Sequence, residues 1–344
     1  MAPLRPTLSD LVRETGLSSA TVDRVINNRQ GVHPRTRDLV LTTAKRLGYL
    51  SEVEAPTVAE SQLGRLRFSF LLPAGNNAFI AALRRQIEAQ AAARPELDVR
   101  IETIEGFNPS SLARHLDQVP AGLDGLGLVA LDHPLVREGL RRLAQRGVKV
   151  ATLVSDVLTV PRVAYIGVDN RQAGRLAGYI LGRFLVGRDA PKVAFFAGSR
   201  FYRGHEEREM GFRSVLAEDF PGVQVVAQCE SMDDPDRAHA ETQALLNVHP
   251  DLAAIYNAGA GNPGIARALG ERDLSRRVVL IGHEATEGNK RLLLEGVLDA
   301  VIDQNPRVEA REALNALTMA ARQESYAVVA PRLQVVFREN LPED

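Results

Sequence analysis

The first fifty residues show the spacing of apolar positions that is typical of short amphipathic helices. Two runs of apolar residues recur at helical spacing, namely Leu8, Leu11 and Val12, then Ala20, Val22, Val25 and Ile26. Ser18 precedes the second run, where its oxygen can accept from amides left free in the first helical turn. A third helix is predicted over Pro34–Leu47, since proline suits the first turn and Gly48 follows the last. The pattern predicts a helix-turn-helix followed by a third helix.

From residue 66 onward, strands and helices alternate in two successive series. The strands are nearly continuous apolar runs, as expected for parallel sheets with both faces covered. In the first series we predict strands near residues 67–73, 98–103, 125–130 and 148–154, with helices near 77–94, 109–118 and 134–146. In the second we predict a helix at 171–186, strands near 192–197, 223–227, 253–256, 277–281 and 300–303 separated by helices, then a helix at 308–323 and a strand at 333–337.

The predicted fold class is α/β, with an all-α helix-turn-helix head joined to a two-lobed core of doubly wound parallel sheets. The head is predicted at residues 1–50 and a polar, acidic linker at 51–65. The core is predicted at residues 66–340, with a first lobe at about 66–156 and 305–324 and a second at about 164–303 and 330–340.

Charge is unevenly distributed between these parts. Residues 1–50 contain eight basic and four acidic side chains, a net of +4, whereas the whole chain carries −1, which leaves −5 for the remainder. A basic head on an acidic body is typical of a protein that neutralises nucleic-acid phosphates. Cys229 is the only cysteine, which argues against a disulfide framework or a zinc site built on cysteines. No signal peptide and no apolar run of membrane-spanning length is apparent, so we expect a cytoplasmic protein.

The head resembles a known family over most of its length. The segments GLSSATVDRVINN and GVHPRTRDLVLTTAKRLGY are similar to the DNA-binding unit of the lactose-repressor (LacI/GalR) family of bacterial transcription regulators. The resemblance implies base-edge contacts in the major groove from Ser19, Ala20 and Arg24. It implies phosphate contacts from Ser18, Thr21 and Asn27, and Arg35 completes the predicted DNA contacts. Arg24 can donate two hydrogen bonds to guanine O6 and N7, and the small Ala20 allows close approach to a thymine methyl group.

Two features depart from that family. Asp23 stands where a hydroxyl residue is usual, and the linker lacks the family's Pro-Asn start while containing Glu52, Glu54 and Glu60. Leu63 is the only candidate there for a side chain that wedges into the minor groove. The resemblance therefore covers the head more closely than the linker.

The carboxyl ends of both sets of strands are expected to face a shared cleft, where ligands of open α/β sheets bind. The side chains that we select from these strand ends are Asp132, Ser155, Asp156, Tyr202, His205 and Asn257. Carboxylates and amides can each bind two hydroxyl groups, and an aromatic ring can cover an apolar C–H face. This combination predicts a polyhydroxy ligand.

The core is similar to the periplasmic-binding-protein type I fold, which the same family joins to its DNA-binding head. The resemblance covers roughly residues 67–337 and depends on the motifs Asn76-Asn-Ala-Phe79 and Ile281-Gly-His-Glu284 and on Gln304. It implies sugar contacts from Asn77, Phe79, Arg208, Glu284 and Gln304. Glu284 replaces the family's usual aspartate with a side chain one methylene longer, which suggests a smaller or differently rotated ligand.

Several polar residues near the predicted cleft have plainer interpretations. Asp169 and Asn170 precede a helix and are predicted to be caps rather than ligands. Phe79 has two interpretations, a ligand contact or a side chain of the hydrophobic core. His205 and Glu209 have the i, i+4 spacing of metal ligands, but no third ligand follows at a suitable spacing. No metal is therefore predicted.

The charge of the ligand is left open by two opposing signals. Arg200, Arg203 and Arg208 gather at one expected edge of the cleft and would suit an anionic sugar acid or phosphate. Asp132 and Asp156 argue against a highly charged anion. Both alternatives stand at the level of sequence.

The segment Gly259-Ala-Gly261-Asn-Pro-Gly264 supports a different function. It is a G-x-G-x-x-G motif after a predicted strand and before a predicted helix, and Glu284 lies 20 residues beyond it, as in dinucleotide-binding folds. The alternative is an NAD(H)-sensing regulator or a Rossmann-type dinucleotide-binding enzyme. Pro263 argues against it, because proline removes a backbone donor from the turn that would cradle pyrophosphate.

The main catalytic motifs are absent from the sequence, which has no G-x-S-x-G, P-loop, H-E-x-x-H or cysteine–histidine constellation. We therefore predict a protein that is not an enzyme and needs no cofactor. The predicted function is that of a homodimeric transcriptional repressor that reads a near-palindromic, double-stranded operator. A small sugar, polyol or sugar derivative between the lobes is predicted to control operator affinity by shifting the population toward a closed cleft.

Overall fold

The computed structural model describes residues 7–26, 34–47 and 64–342. The chain divides into two compact units, Met1–Gly64 and Arg65–Asp344. Of the linker predicted at residues 51–65, only residues 64 and 65 are described. Each unit has a hydrophobic core of its own.

The smaller unit contains the three helices that the apolar spacing predicts. They are α1 (Leu8–Thr15), α2 (Ser19–Ile26) and α3 (Pro34–Leu47). Their shared core consists of Leu11, Val22, Val25, Val40 and Ala44. Asp10 accepts hydrogen bonds from the backbone N–H and the hydroxyl of Thr7 at 2.8 and 2.7 Å, which fixes the start of α1. Gly16 ends α1 in the left-handed region at φ +68°, a conformation that costs glycine little.

The first lobe of the larger unit is built on a five-stranded parallel sheet. Its strands are β1 (Leu66–Pro73), β2 (Leu97–Ile104), β3 (Gly125–Leu128), β4 (Lys149–Leu153) and β5 (Ala164–Ile166). Helices α4 (Ala78–Ala92), α5 (Pro109–Asp117) and α6 (Pro134–Gln145) connect them. The strand order is β2-β1-β3-β4-β5. The central strands β1 and β3 are buried over most of their length, as their continuous apolar sequences predict.

The second lobe is built on a six-stranded sheet in the order β11-β10-β9-β8-β6-β7. Its strands are β6 (Lys192–Ala197), β7 (Gln224–Glu230), β8 (Leu252–Asn257), β9 (Val279–His283), β10 (Ala300–Asp303) and β11 (Gln334–Val336). Its helices are α7 (Asn170–Phe184), α8 (Arg203–Asp219), α9 (Pro235–Val248), α10 (Asn262–Gly270) and α11 (Glu287–Glu295). Only β11 runs antiparallel to its neighbour within this sheet. Alternate residues of β6 enter two hydrophobic clusters, so both faces of the sheet are covered.

The chain returns to the first lobe near its end. Helix α12 (Pro306–Ala321) packs against α4, β3, β4 and β5, and a short 3₁₀ helix, Arg338–Asn340, follows β11. The two lobes are therefore interleaved in sequence. The predicted α/β fold class, with a helix-turn-helix unit and a two-lobed core, is confirmed.

The apolar pattern does not predict one short strand. The prediction starts the second lobe at about residue 164, whereas β5 pairs with β4 as the last strand of the first sheet. The second lobe instead begins with α7 at Asn170. A strand of three residues is too short to show an alternating period, so its pairing with β4 defines it.

Helices α7 and α8 pack closely because glycines remove side chains from their interface. A Cβ atom on Gly174 would overlap the backbone carbonyl oxygen of Arg208, and one on Gly211 would overlap that of Arg171. The close approach brings the backbone of α8 against α7 and fixes the position of Arg208, whose side chain is buried. Local packing thus places a charged side chain between the lobes.

Candidate functional site

A cavity of about 110 Å³ lies between the two lobes of the larger unit. It is bordered by segments that follow the carboxyl ends of strands in both sheets. Seven of the predicted ligand contacts line it, namely Asn77, Phe79, Ser155, Tyr202, His205, Arg208 and Glu284. This position follows the rule that open α/β sheets bind ligands outside the carboxyl ends of their strands.

Four of the predicted contacts do not line this cavity: Asp132, Asp156, Asn257 and Gln304. Asp156 is buried and accepts hydrogen bonds from the Thr152 hydroxyl at 2.7 Å and from the Val157 N–H at 2.8 Å. Its second oxygen accepts from Arg162 Nη2 at 2.6 Å. These three donors hold the loop after β4, so Asp156 has a structural role here.

Asp132 and Asn257 are also engaged by their own surroundings. Asp132 forms an ion pair with Arg137 Nη2 at 2.6 Å. Asn257 Nδ2 donates to Asn262 Oδ1 at 2.7 Å, and Asn257 Oδ1 accepts from the Gly259 N–H at 3.2 Å. Both residues follow a strand, as predicted, but neither lines the cavity, and nearby partners satisfy both side chains.

Arg208 is the centre of a buried polar cluster on the second-lobe side of the cavity. Its Nε donates to Asn170 Oδ1 at 2.8 Å, and its Nη1 donates to the Ala258 carbonyl oxygen at 2.7 Å. Glu284 Oε1 lies 3.9 Å from Arg208 Nη1 and accepts from Gln304 Nε2 at 3.1 Å. Gln304 therefore supports Glu284 from outside the cavity.

Glu284 has an unusual protonation equilibrium and an unusual backbone. Burial raises its pKa to about 7, and the positive charge of Arg208 offsets only part of this effect. Its φ of +61° lies in the left-handed region, which is uncommon for residues with a side chain. Near neutral pH this carboxyl group can donate a hydrogen bond when protonated and accept one when ionised.

Aromatic rings form much of the remaining wall. Tyr202 packs edge-on against Phe107 and His205, with ring centroids 5.3 and 5.6 Å apart. Burial lowers the pKa of His205 to about 4, so its imidazole is neutral at pH 7, and burial raises the pKa of the Tyr202 hydroxyl. Phe79 both lines the cavity and belongs to the core of the first lobe. The rings offer apolar surface and uncharged hydrogen-bonding groups.

Three further cavity residues are Phe107, Asn170 and Asp233, and none is among the predicted ligand contacts. Asp169 caps α7, as predicted, by accepting from the Gln172 N–H at 2.8 Å. Its neighbour Asn170 lies in the cavity wall and orients Arg208. The spacing of two polar residues before a helix does not reveal which one caps it.

The sequence pattern likewise does not predict that Asp233 lies in the cavity wall. Asp234 caps α9 by accepting from the Arg237 N–H at 2.8 Å, which accounts for an acidic residue before that helix. Asp233 instead accepts from Asn77 Nδ2 at 3.0 Å, across the space between the lobes. Only the folded structure brings these two side chains together, because they lie far apart in the sequence.

In the smaller unit, the described DNA-contact candidates lie on α2 and just before it. Those that are exposed are Ser18, Ser19, Ala20 and Arg24, and Thr21 is half-buried. Ser18 Oγ accepts from the Thr21 N–H at 3.2 Å, so the predicted cap of α2 is confirmed. Asn27 lies outside the described residues, as does the side chain of Arg35.

The glycines of the G-x-G-x-x-G segment have packing roles. A Cβ atom on Gly264 would overlap the Pro235 carbonyl oxygen at the start of α9, and one on Gly261 would lie 3.0 Å from Ala238 Cβ. These contacts bring α10 close to α9. Helix packing explains the glycines without a bound pyrophosphate.

His205 and Glu209, the two residues with the spacing of metal ligands, both contact other groups of the protein. Glu209 Oε1 accepts from Arg213 Nε at 2.7 Å, and His205 Nδ1 lies 3.1 Å from the Ser199 carbonyl oxygen. Within residues 7–26, 34–47 and 64–342, no group of three His, Cys, Asp or Glu side chains is arranged to hold a metal ion. In that same part of the chain, no helix combines the length and apolarity needed to cross a membrane.

A two-lobed binding core and a helix-turn-helix unit define the class of regulators that join a DNA-binding head to a ligand-binding body. Residues 7–52 match the family described as bacterial regulatory proteins, lacI family, and residues 68–325 match the periplasmic binding protein domain. Through its larger unit the chain belongs to the periplasmic binding protein domain family, and its head matches the lacI family of bacterial regulatory proteins. The resemblance seen in the sequence is confirmed.

Individual relatives are more distant. The regulator CelR of Thermobifida fusca is 27% identical over 81% of this chain and 82% of its own length. The ribose operon repressor of Halalkalibacterium halodurans is 24% identical over 77% of this chain and 76% of its own length. The D-ribose/D-allose-binding protein of Pseudomonas aeruginosa is 26% identical over 57% of this chain. The chain spans only 62% of that protein and 61% of the catabolite control protein A of Priestia megaterium.

Solved structures share the fold. A solute-binding protein of Burkholderia graminis, solved with D-arabinose, has a TM-score of 0.75 at 21% identity and covers 81% of this chain and 97% of its own. A putative LacI transcriptional regulator of Bacteroides fragilis has a TM-score of 0.73 at 20% identity, covering 80% and 98%. The relatives named here are regulators and binding proteins and give the dinucleotide alternative no support.

Proposed function

We propose that this chain is a transcriptional repressor whose affinity for operator DNA is controlled by a small carbohydrate bound between its lobes. The observation that carries the proposal is the cavity in which Asn77 of the first lobe and Arg208 and Glu284 of the second line one space. The relatives support this ligand class, since they include a ribose operon repressor and a D-ribose/D-allose-binding protein.

The chemistry of the cavity wall suits a polyhydroxy molecule. Ser155 and Glu284 supply hydroxyl and carboxyl groups that can bind hydroxyl groups, and the Asn77 amide, whose oxygen caps α4, keeps one N–H donor beside its bond to Asp233. Tyr202 and Phe107 supply ring surface for the C–H faces of a sugar. A concave space with mostly apolar walls and a few placed polar groups is typical of a small-molecule site.

Contacts between the lobes explain how a ligand would act. Ser155 Oγ in the first lobe accepts from the Gly204 N–H in the second at 3.2 Å, beside the ligand space. A sugar that touches both lobes adds contacts available only when they are close together, so it favours the closed cleft. A coupling of about 1–3 kcal/mol, roughly 5- to 150-fold in affinity, is typical of such regulation.

Operator recognition requires two copies of the head, because one helix-turn-helix reads only a half-site. We therefore propose a two-fold homodimer that binds a near-palindromic operator in the cytoplasm, with no enzymatic step. Cleft closure changes the relative pose of the two first lobes. The linker at residues 51–65 then transmits this change to the spacing of the two heads.

A thermal-shift panel tests the ligand class on the full chain. The panel contains pentoses, hexoses, inositols, sugar acids, disaccharides and NAD(H). A carbohydrate at one hundred times its dissociation constant should stabilise the protein by about 2.7 kcal/mol. Glu284→Ala should lose this stabilisation, whereas Glu295→Ala, which removes an exposed carboxylate at the end of α11, should keep it. Stabilisation by NADH alone would favour the dinucleotide alternative.

A further inference from the structure

Asp233 lies in the loop between β7 and α9 and contributes a carboxylate to the cavity wall. Its Oδ2 accepts from Asn77 Nδ2 at 3.0 Å, which joins the two lobes. Its Oδ1 accepts from the Ala260 N–H at 2.9 Å. A carboxylate has about four acceptor positions, so these two bonds hold Asp233 in place and leave acceptor capacity for a ligand.

The surrounding backbone is shaped to present this carboxylate. Met232 and Asp233 both have left-handed backbone angles, with φ of +54° and +53°, which residues with side chains rarely adopt. Gly259 and Gly198 leave the space that the carboxylate occupies. A Cβ atom on Gly259 would lie 2.7 Å from Asp233 Oδ1, and one on Gly198 would overlap the same atom. Three separate segments thus combine to place this charge in the cavity wall.

The arginines near the cavity do not neutralise an incoming anion. The sequence suggests three arginines as partners for an anionic ligand, namely Arg200, Arg203 and Arg208. Of these three, only Arg208 lines the cavity, and two of its nitrogens already donate to protein acceptors. Glu284 Oε1 lies 3.9 Å from it. Arg203 Nε donates to Glu207 Oε1 at 2.8 Å, and Arg200 is exposed outside the lining. The cavity therefore offers an incoming anion little free positive charge.

Among the described residues that line the cavity, the carboxyl groups of Asp233 and Glu284 face a single guanidinium, and His205 is neutral at pH 7. We propose, on the basis of the function proposed above, that Asp233 selects the charge of the effector. It accepts a hydrogen bond from a hydroxyl or ammonium group and disfavours a carboxylate or phosphate at that position. The effector is then a neutral sugar or polyol, or an amino sugar.

The test compares neutral and charged sugars on the full-length wild type, on Asp233→Asn and on the control Asp236→Asn. Asp236 is exposed in the first turn of α9 and pairs with Arg267 Nη2 at 2.8 Å, so its replacement changes the net charge equally without touching the cavity. Isothermal titration calorimetry measures the affinities of neutral aldoses, ketoses and polyols and of their amino, acidic and phosphorylated derivatives. The readout is the affinity ratio between a neutral sugar and its acidic derivative.

We expect the wild type to bind the neutral sugar at least about tenfold more tightly than the acid, because two negative charges repel at short range. Asp233→Asn should shrink this ratio, and Asp236→Asn should preserve it. The ratio is insensitive to the weakened contact with Asn77, which affects both sugars alike. Equal binding of the two sugars by the wild type, or an unchanged ratio in Asp233→Asn, would overturn the role of Asp233 while leaving a carbohydrate effector standing. If no sugar of any charge bound, the proposed function would fail and this inference with it.

Discussion

Replacing Glu284 by glutamine tests whether burial holds the pKa of this carboxyl group near neutrality. Glutamine has nearly the same shape, keeps an oxygen that can accept from Gln304 Nε2, and has no ionisable proton. Both side chains require the same left-handed backbone, with φ of +61° at residue 284, so backbone strain cancels in the comparison. The substitution isolates the ionisation of one side chain.

The size of the effect follows from the pKa. Burial raises the pKa of Glu284 from 4.5 to about 7 despite the nearby Arg208. At about 1.4 kcal/mol per pKa unit, ionisation costs the folded state on the order of 3 kcal/mol. Since the pKa is higher in the folded than in the unfolded chain, this cost is absent below pH 4.5 and grows as the pH rises to 7. The glutamine variant should gain stability over the wild type across this window and keep the gain at pH 8.

Urea denaturation of the full chain, followed by far-ultraviolet circular dichroism from pH 4.5 to 8, measures the difference in the free energy of unfolding. Glu295→Gln removes an exposed carboxylate at the end of α11 and should show no such gain. Other buried carboxyl groups ionise in the wild type and in both variants alike. The test therefore depends on the difference in the free energy of unfolding between each variant and the wild type. A difference that stays constant over this pH range would refute the reasoning, because Glu284 would then ionise alike in the folded and unfolded chains.

Further substitutions probe the head, the helix packing and the loop after β4. Arg24→Ala should relax the preference at one position of each half-site, at a cost of about 1–3 kcal/mol, when binding is measured on operators mutated one base pair at a time; uniform weakening would make it a phosphate contact. Gly174→Ala should push α7 away from α8, lower the free energy of unfolding by about 1–3 kcal/mol and weaken sugar binding through Arg208, as calorimetry can measure. Gly288→Ala has open space for its methyl group and should change neither the stability nor the sugar affinity in this way. Asp156→Asn should lower the thermal midpoint without changing which sugars bind, and an altered preference would return Asp156 to the binding site.

Helix ends marked by proline and glycine are well predicted from the sequence. Helix α3 begins at Pro34 and ends at Leu47, as the positions of Pro34 and Gly48 predict. Strand β5 is too short to show an alternating period, and its pairing with β4 is what makes it a strand. Local signals thus locate elements whose ends are marked in the sequence, and tertiary pairing determines the others.

The cavity residues likewise fall into those predicted from local sequence signals and those determined by tertiary contacts. Asn77 and Glu284 lie in it because the carboxyl ends of parallel strands fix where the chain passes. Asp156 and Asn257 leave equivalent strand ends, yet their rotamers are set by donors and acceptors in their own loops. Asp233 is brought to the cavity by contacts with segments remote in sequence, which no local pattern contains.

The central claim is tested most directly by titrating operator affinity with the carbohydrate that stabilises the protein. The full-length chain first selects its operator from random duplex DNA. Fluorescence anisotropy then gives the Kd for that duplex with and without the sugar, at one fixed salt concentration because phosphate contacts depend on salt. We predict a change in Kd of about 5- to 150-fold, with Glu284→Ala retaining the sugar-free affinity and losing the change. Saturating sugar that leaves the operator Kd of the wild type unaltered would contradict the account.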